Sequence, residues 1–259
     1  MRISAPAKLN LCLDVLKKSP NGYHKIQTIL YELPKFADKL EILSTQKPDN
    51  TSIAQGGQKP DEATVEQIKF LNQNPQKNLA HQALLLIKKT FKIRKNAQIK
   101  ITKNIPFNSG LGGGASDAAA VLKGLNKLWK LNMDQKILLK LAEKLGKDVP
   151  FFIIGGTALA TNYGEKIKPL NSLKNLKFKI FPRSSKNLQK TKDNFAALDL
   201  KKCAQDLNQT KTLLKAIKEN NPDEILTNLH NDFSQLYTLK KGHYLSGAGP
   251  STFTVTSQN

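Results

Sequence analysis

The chain has 259 residues, 39% of them hydrophobic, which is enough for one large or two modest domains with real cores and too apolar for a disordered chain. Its net charge of +21 would ordinarily suggest nucleic acid, but only three of the 41 basic residues are arginine, the preferred reader of phosphates and guanine edges, and the lysines are spread along the whole chain. No apolar run approaches the roughly 20 residues of a membrane helix, so neither nucleic acid nor a membrane is expected as partner.

The opening Met1-Arg2-Ile3-Ser4-Ala5-Pro6 lacks a signal-peptide core. Cys12 and Cys203, far apart and in no CxxC unit, predict two free thiols in a reducing cytoplasm rather than a disulfide or a zinc site. Residues 8–15 alternate, with Leu9, Leu11, Leu13 and Val15 on one face and Lys8, Asn10, Cys12 and Asp14 on the other. Period two predicts a strand with one face buried. Asn21-Gly22 marks a turn, and 39–43 is a short strand. Residues 44–78, with Pro48, Gly56-Gly57, Pro60 and Pro75, read as a loop with a short helix near 65–71.

Residues 79–91 have helical spacing and 97–102 alternate as a strand. After Pro106 comes a glycine cluster, then a helix over 116–129 with one apolar stripe. Asp134 is the expected N-cap of a further helix stopped by Gly146. Residues 151–161 read as a buried β segment, 176–181 as a strand, 196–218 and 223–237 as Lys-rich amphipathic helices, and 251–256 as the last strand. Strands first, then mixed elements without strict βαβ alternation, predict an α+β fold.

The strongest local signal is Pro106-Phe107-Asn108-Ser109-Gly110-Leu111-Gly112-Gly113-Gly114-Ala115-Ser116-Asp117. Glycines let amide groups converge on an anion, and the following helix adds the positive end of its dipole. The GK[ST] ending of a Walker A loop is missing. Gly110-Leu-Gly112-Gly-Gly-Ala115 also matches GxGxxA, but a second helix follows where a dinucleotide fold needs a strand carrying an acidic residue. A glycine-rich turn with no ligand is the other open reading.

This loop resembles the PxxxGLG(G)xSS phosphate loop of the GHMP kinases, and GLGGG-x-SDAA is similar to the version in their methylerythritol branch. Pro6-Ala7-Lys8-Leu9-Asn10-Leu11, Asn21-Gly22-Tyr23-His24, Leu145-Gly146-Lys147-Asp148-Val149-Pro150-Phe151-Phe152, Asn231-Asp232-Phe233 and Leu245-Ser246-Gly247-Ala248-Gly249 resemble further segments of that family, in the right order. The resemblance covers essentially the whole chain. It implies a two-domain fold, an S5-like N-terminal domain over 1–160 and a ferredoxin-like C-terminal domain over 161–259, with the active site in the cleft between them. It also implies transfer of the γ-phosphoryl of ATP, with Mg²⁺, to the 2-hydroxyl of a cytidine diphosphate-linked methylerythritol.

Residue by residue, the resemblance makes Asp148 the catalytic base and Lys8 its partner, which also offsets charge at the γ-phosphate. Tyr23 and His24 would hold the cytidine, with Asn10 in the same pocket. Residues Pro106 to Ser116, with Lys103 and Asn78, would take the nucleotide, and Ser116 would touch phosphate or Mg²⁺. Gly247 and Gly249 would form a second backbone wall near the methylerythritol or phosphates. Ala115 and Ala248 stand where the family often has Ser, and the C-terminal domain is expected to be shortened. A GHMP kinase acting on homoserine or mevalonate would share the loop without needing Tyr23-His24. An RNA-binding S5-like protein is the rival of another class.

Overall fold

The computed structural model describes residues 1–57, 62–187 and 190–258. Its elements fall into two units that interleave along the chain, one of Met1–Ala7, Leu33–Phe107 and Gly112–Ile153, the other of Lys8–Glu32, Asn108–Leu111 and Ile154–Asn259. Helices and mixed sheets make the fold α+β, as expected. Strands β1 (Arg2–Lys18) and β2 (His24–Thr45) pair with each other and pass through both units. The turn between them is where Asn21-Gly22 predicts it, with Gly22 at φ +83°. The strand expected at 39–43 is only the end of β2, whose period is obscured by Pro34 and the buried Asp38.

In the first unit, β3 (Asn50–Gln55) stands inside the loop expected at 44–78, and α1 (Glu62–Gln73) is a longer form of the short helix expected near 65–71; Pro60 lies outside the described residues. The strand Asn-Thr-Ser-Ile-Ala-Gln is too polar to announce itself, yet Thr51 and Ile53 are buried. Asn72 of α1 hydrogen-bonds both the N–H and the C=O of Ile53, at 2.7 and 2.9 Å. Helix α2 (Leu79–Phe91) follows, and β4 (Asn96–Lys103) runs parallel to β3 and antiparallel to the end of β2.

Helices α3 (Gly113–Leu128) and α4 (Gln135–Leu145) come next; Asp134 caps α4, accepting from Ile137 N at 2.8 Å, and Gly146 follows its last residue. Gly124 lets α3 lie close to the strands. A methyl group added there would sit 2.5 Å from Ile3 Cδ1 and 2.7 Å from Ile42 Cδ1.

The β segment expected over 151–161 is half wrong. Val149–Ile154 is a short helix, α5, and only Thr157–Thr161 is a strand, β5. Gly155 and Gly156, at φ +75° and +68°, make the break. Burial explains the misreading: Phe151, Phe152 and Ile153 are all inside, so their apolar run carries no period.

In the second unit, β5 is antiparallel to residues Thr28 to Tyr31 of β2 and to β6 (Lys166–Pro169). After β7 (Leu176–Phe181), the two long helices expected over 196–218 and 223–237 are broken into α6 (Lys190–Ala197), α7 (Leu207–Glu219), α8 (Pro222–Thr227) and two 3₁₀ turns. The cause is local: the side chains of Asp199, Asp206, Asn221 and Asn231 each accept an amide hydrogen bond and start a new short segment. Strands β8 (Tyr244–Leu245) and β9 (Thr252–Ser257) complete a three-stranded sheet in the order β7-β9-β8. Leu13, Val15, Leu198, Cys203, Phe233, Leu245 and Ala248 form a core of this unit.

Strand β1 corrects a further expectation. Its polar face is buried as well: Lys8 and Asn10 are 4% exposed, Asp14 1% and Cys12 0%. Buried polar groups at that density need partners, and β1 is where the chemistry of the second unit is concentrated.

Candidate functional site

The glycine segment opens α3 as the sequence predicts, although the helix begins at Gly113, three residues early. Asn108, Gly110 and Gly112 all have positive φ (51°, 82° and 76°). Gly112 sits at the N-cap with no side chain to satisfy the first amides of the helix. The amides of Gly112, Gly113 and Gly114 find no acceptor among the described residues. Ser116, in the first turn, is 1% exposed and its hydroxyl has no hydrogen-bond partner among the described residues. Unspent amides at a helix N-terminus with an unspent hydroxyl fit a phosphate and its counter-ion.

In the second unit, Lys8 Nζ donates to Asn10 Oδ1, and Asn10 Nδ2 donates to Thr28 Oγ1 at 2.8 Å. Lys8 N donates to Leu111 O at 2.9 Å, which fixes the lysine's strand to the glycine segment. The loop of Gly247 and Gly249 packs on the same place. A methyl group on Gly110 would lie 2.2 Å from Ser246 O, and one on Gly247 would lie 2.9 Å from Gly110 O and 3.0 Å from Lys8 Nζ. Lys8, Asn10, Gly110, Leu111, Gly247 and Gly249 are therefore brought together.

Asn231 explains the Asn-Asp-Phe motif. Its side chain donates to Leu245 O and Gly247 O (3.0 and 2.9 Å) and accepts from Phe233 N, while Asp232 accepts from Val15 N at 2.6 Å.

The sequence reading passed over Lys190. Its ammonium donates to Asn108 O at 2.6 Å and to Gly249 O, tying the two glycine loops together. Burial first, and the Lys8 charge second, push it down to about 8. A lysine in a Lys-rich stretch gives no sequence signal of this.

Tyr23 is 58% exposed, with its ring 5.8 Å from Tyr163. His24 stacks on Phe195, centroids 5.0 Å apart and planes 9° from parallel. Burial and then the Lys18 charge lower the His24 pKa, which favours the neutral imidazole. Phe195 was not anticipated from sequence, because it lies in a helix with no distinguishing pattern.

In the first unit, Lys103 is committed to a buried ion-pair triad. Its ammonium meets Asp38, and Asp117 at 2.9 Å; all three residues are no more than 3% exposed. Asp38 also accepts from Asn104 N and Ile105 N (2.6 and 2.8 Å). Burial, with Asp38 adding and Lys103 opposing, pushes Asp117 up to about 7. Burial works to lower the Lys103 pKa, but the two carboxylates outweigh it and the pKa is raised.

Lys103 Nζ also sits 5.2 Å from the Phe107 ring centroid and within 3.1 Å of where a Gly113 methyl would be. It supports the floor of the glycine segment from inside. Asn78 caps α2, accepting from Ala80 N at 2.9 Å. Asp148 stands immediately before α5, half-buried, with no hydrogen-bond or ion-pair partner among the described residues. Lys123 of α3 reaches the end of α5, donating to Phe152 O at 2.9 Å.

Residues 78–156 match the family model for the GHMP kinases N terminal domain. A 4-diphosphocytidyl-2-C-methyl-D-erythritol kinase of Caldicellulosiruptor saccharolyticus is 39% identical over 98% of this chain and 88% of its own length. The enzyme of that name from Bacillus subtilis is 44% identical over 66% of this chain, a match that spans 55% of that enzyme. Among solved structures, a 4-(cytidine 5'-diphospho)-2C-methyl-D-erythritol kinase superposes with a TM-score of 0.68 at 28% identity, covering 100% of this chain and 91% of the other. A homoserine kinase from Cytophaga hutchinsonii has a TM-score of 0.69 at 22% identity, over 100% and 85%, which speaks to the fold alone. The chain belongs to the 4-diphosphocytidyl-2-C-methyl-D-erythritol kinase family of the GHMP kinases.

Proposed function

We propose that the protein transfers the γ-phosphoryl of ATP to the 2-hydroxyl of 4-diphosphocytidyl-2-C-methyl-D-erythritol, in the cytoplasm, as a step of non-mevalonate isoprenoid precursor synthesis. The observation that carries this reading is the glycine segment at the start of α3, where three unspent amides and the buried, unpartnered Ser116 hydroxyl converge. Catalysis of this kind is mostly positioning and charge stabilisation.

Pro106 to Ser116 bind the nucleotide's phosphates, with Lys103 and Asn78 holding the surrounding backbone. Asp148 accepts the proton of the substrate hydroxyl; its lack of a protein partner leaves the carboxylate available for that role. Lys8, fixed by Asn10, offsets charge on the transferred group. Ser116 fits a Mg²⁺ ligand, since an oxygen donor with no other partner suits a hard cation; when bound, Mg²⁺ neutralises charge on the phosphates. Tyr23, His24 and Asn10 receive the cytidylated substrate, with Gly247 and Gly249 as a backbone wall. The domains in this reading are 1–160, carrying the phosphate loop and the base, and 161–259.

The test is ADP release from ATP and Mg²⁺ with 4-diphosphocytidyl-2-C-methyl-D-erythritol, homoserine or mevalonate. Turnover with the cytidylated substrate alone supports the proposal. Turnover with another alcohol retains the kinase and overturns its substrate.

A further inference from the structure

Beyond Lys8 and Asn10, the buried polar face of β1 ends in Cys12 and Asp14, and neither has a part in the phosphoryl transfer. Both meet His230, and the Cys12 Sγ, Asp14 carboxylate and His230 ring nitrogen all lie within 4.8 Å of one another. Among the described residues no other three His, Cys, Asp or Glu side chains are grouped this way. We propose that Cys12, Asp14 and His230 form a binding site for one thiophilic divalent cation of the Zn²⁺ type.

The donor set is one sulfur, one nitrogen and one oxygen, the mixture a borderline-soft ion prefers. Mg²⁺ and Ca²⁺ ask for oxygen alone, so the site would not compete for the kinase's own cation. Its supporting contacts are already in place. His230 Nδ1 donates to Asn228 O and Nε2 donates to Asp14 Oδ1, both at 2.9 Å, so the ring carries both protons until a cation takes the place of the one on Nε2. Thr210 Oγ1 donates to Asp14 Oδ2 at 2.6 Å and orients the carboxylate. A histidine steadied by a carbonyl and a carboxylate steadied by a hydroxyl are the outer contacts that metal ligands need.

Cys12 and Asp14 are sealed, and the half-buried His230 is the entrance. In the cation-free protein, burial pushes the Cys12 thiol up to about 12, so the sulfur waits as a thiol, inert to oxidation. Binding replaces the S–H bond with an S–metal bond and replaces the Nε2 hydrogen bond to Asp14 with an N–metal bond. The displaced protons go to solvent.

The site is linked to the reaction machinery through covalent neighbours. Thr28, which accepts from Asn10, donates to the carbonyl of Cys12. A shift of Cys12 toward a cation therefore reaches the Lys8–Asn10 pair within four residues of strand.

Co²⁺ alone is the probe, added to the purified Mg²⁺-free protein without nucleotide and followed by its thiolate-to-cobalt charge-transfer band. One equivalent per chain, with the band lost in Cys12→Ser and kept in Cys203→Ser, is the expected result. Thr210→Val should weaken binding by about 10–100-fold, the usual cost of removing an outer contact. Circular dichroism checks each fold, and should Cys12→Ser unfold, His230→Gln at the entrance takes its place. No band in the wild type, or a band that survives Cys12→Ser or His230→Gln, overturns the site and leaves an internal hydrogen-bonded cluster. None of these readings depends on kinase activity.

Discussion

Lys103 Nζ lies 2.9 Å from Asp117 Oδ2 in a setting where neither side chain is more than 5% exposed. With Asp38 present, one ammonium serves two carboxylates, and full ionisation would leave a buried negative charge. Raising Asp117 to about 7 relieves that, by keeping a proton at low and neutral pH. A carboxyl whose folded pKa exceeds its unfolded value binds more protons when folded. Between about 4 and about 7, stability should therefore decline with rising pH, by at most about 1.4 kcal/mol per pH unit from this one group. Denaturant unfolding across that range, wild type against Asp117→Asn, isolates it. The difference in slope should disappear below about pH 4, and a mutant with the wild-type slope throughout would remove the assignment.

Asp148→Asn should separate chemistry from folding. The side chain has no partner to lose, so the stability change should stay within about 0.5 kcal/mol. Loss of a general base should lower kcat by about 10²–10⁴-fold with little change in KM. A mutant that keeps its rate would take the base role away from Asp148.

Gly110→Ala meets two obstacles at once. The residue is at φ +82°, and the new methyl would lie 2.2 Å from Ser246 O, a backbone atom that has little room to yield. The strain should cost about 1–3 kcal/mol and displace the amides meant for phosphate. Expected are a lower melting temperature and a raised KM for ATP; an unaltered KM would mean the segment does not grip the nucleotide.

Gly124→Ala sets two effects against each other. Helix propensity favours alanine by about 1 kcal/mol. The methyl, however, would press on Ile3 and Ile42 at 2.5 and 2.7 Å, and overpacking typically costs about 1–3 kcal/mol. Packing should win, with net destabilisation in thermal melts. Trimming the contact with Ile42→Val in the same chain should recover part of the loss.

What the sequence disclosed was whatever carries a period or a rigid local motif. Helix α2 matches its expected bounds, Asp134 caps α4, and the glycine segment opens a helix, because these depend on neighbours in the chain. Elements set by tertiary contacts were hidden. Strand β3 is polar and stands because β4 and Asn72 supply its partners. Helix α5 is apolar all round and so resembled a strand.

The same division runs through the candidate site. Lys8, Asn10 and Gly247 could be named from motifs, whereas Thr28, Lys190, Phe195 and Asp38 gain their roles from residues 18 to 171 positions away. The buried polar face of β1 was misjudged for a related reason, since alternation reports which residues differ and not whether the second face is covered.

The interleaving of the two units bears on how the chain is made. Val15 N waits for Asp232 and Leu13 N for His230 O, so the second half of β1 leaves the ribosome more than 200 residues before those partners. At roughly 5–20 residues per second, that is about 10–40 s with a largely apolar strand exposed. The pieces of the other unit are complete once residue 153 has emerged. A nascent chain should therefore acquire protease resistance in two stages, the second only after β9 is released. Slow or interrupted translation of the last hundred residues should be far more damaging to yield than the same delay early on.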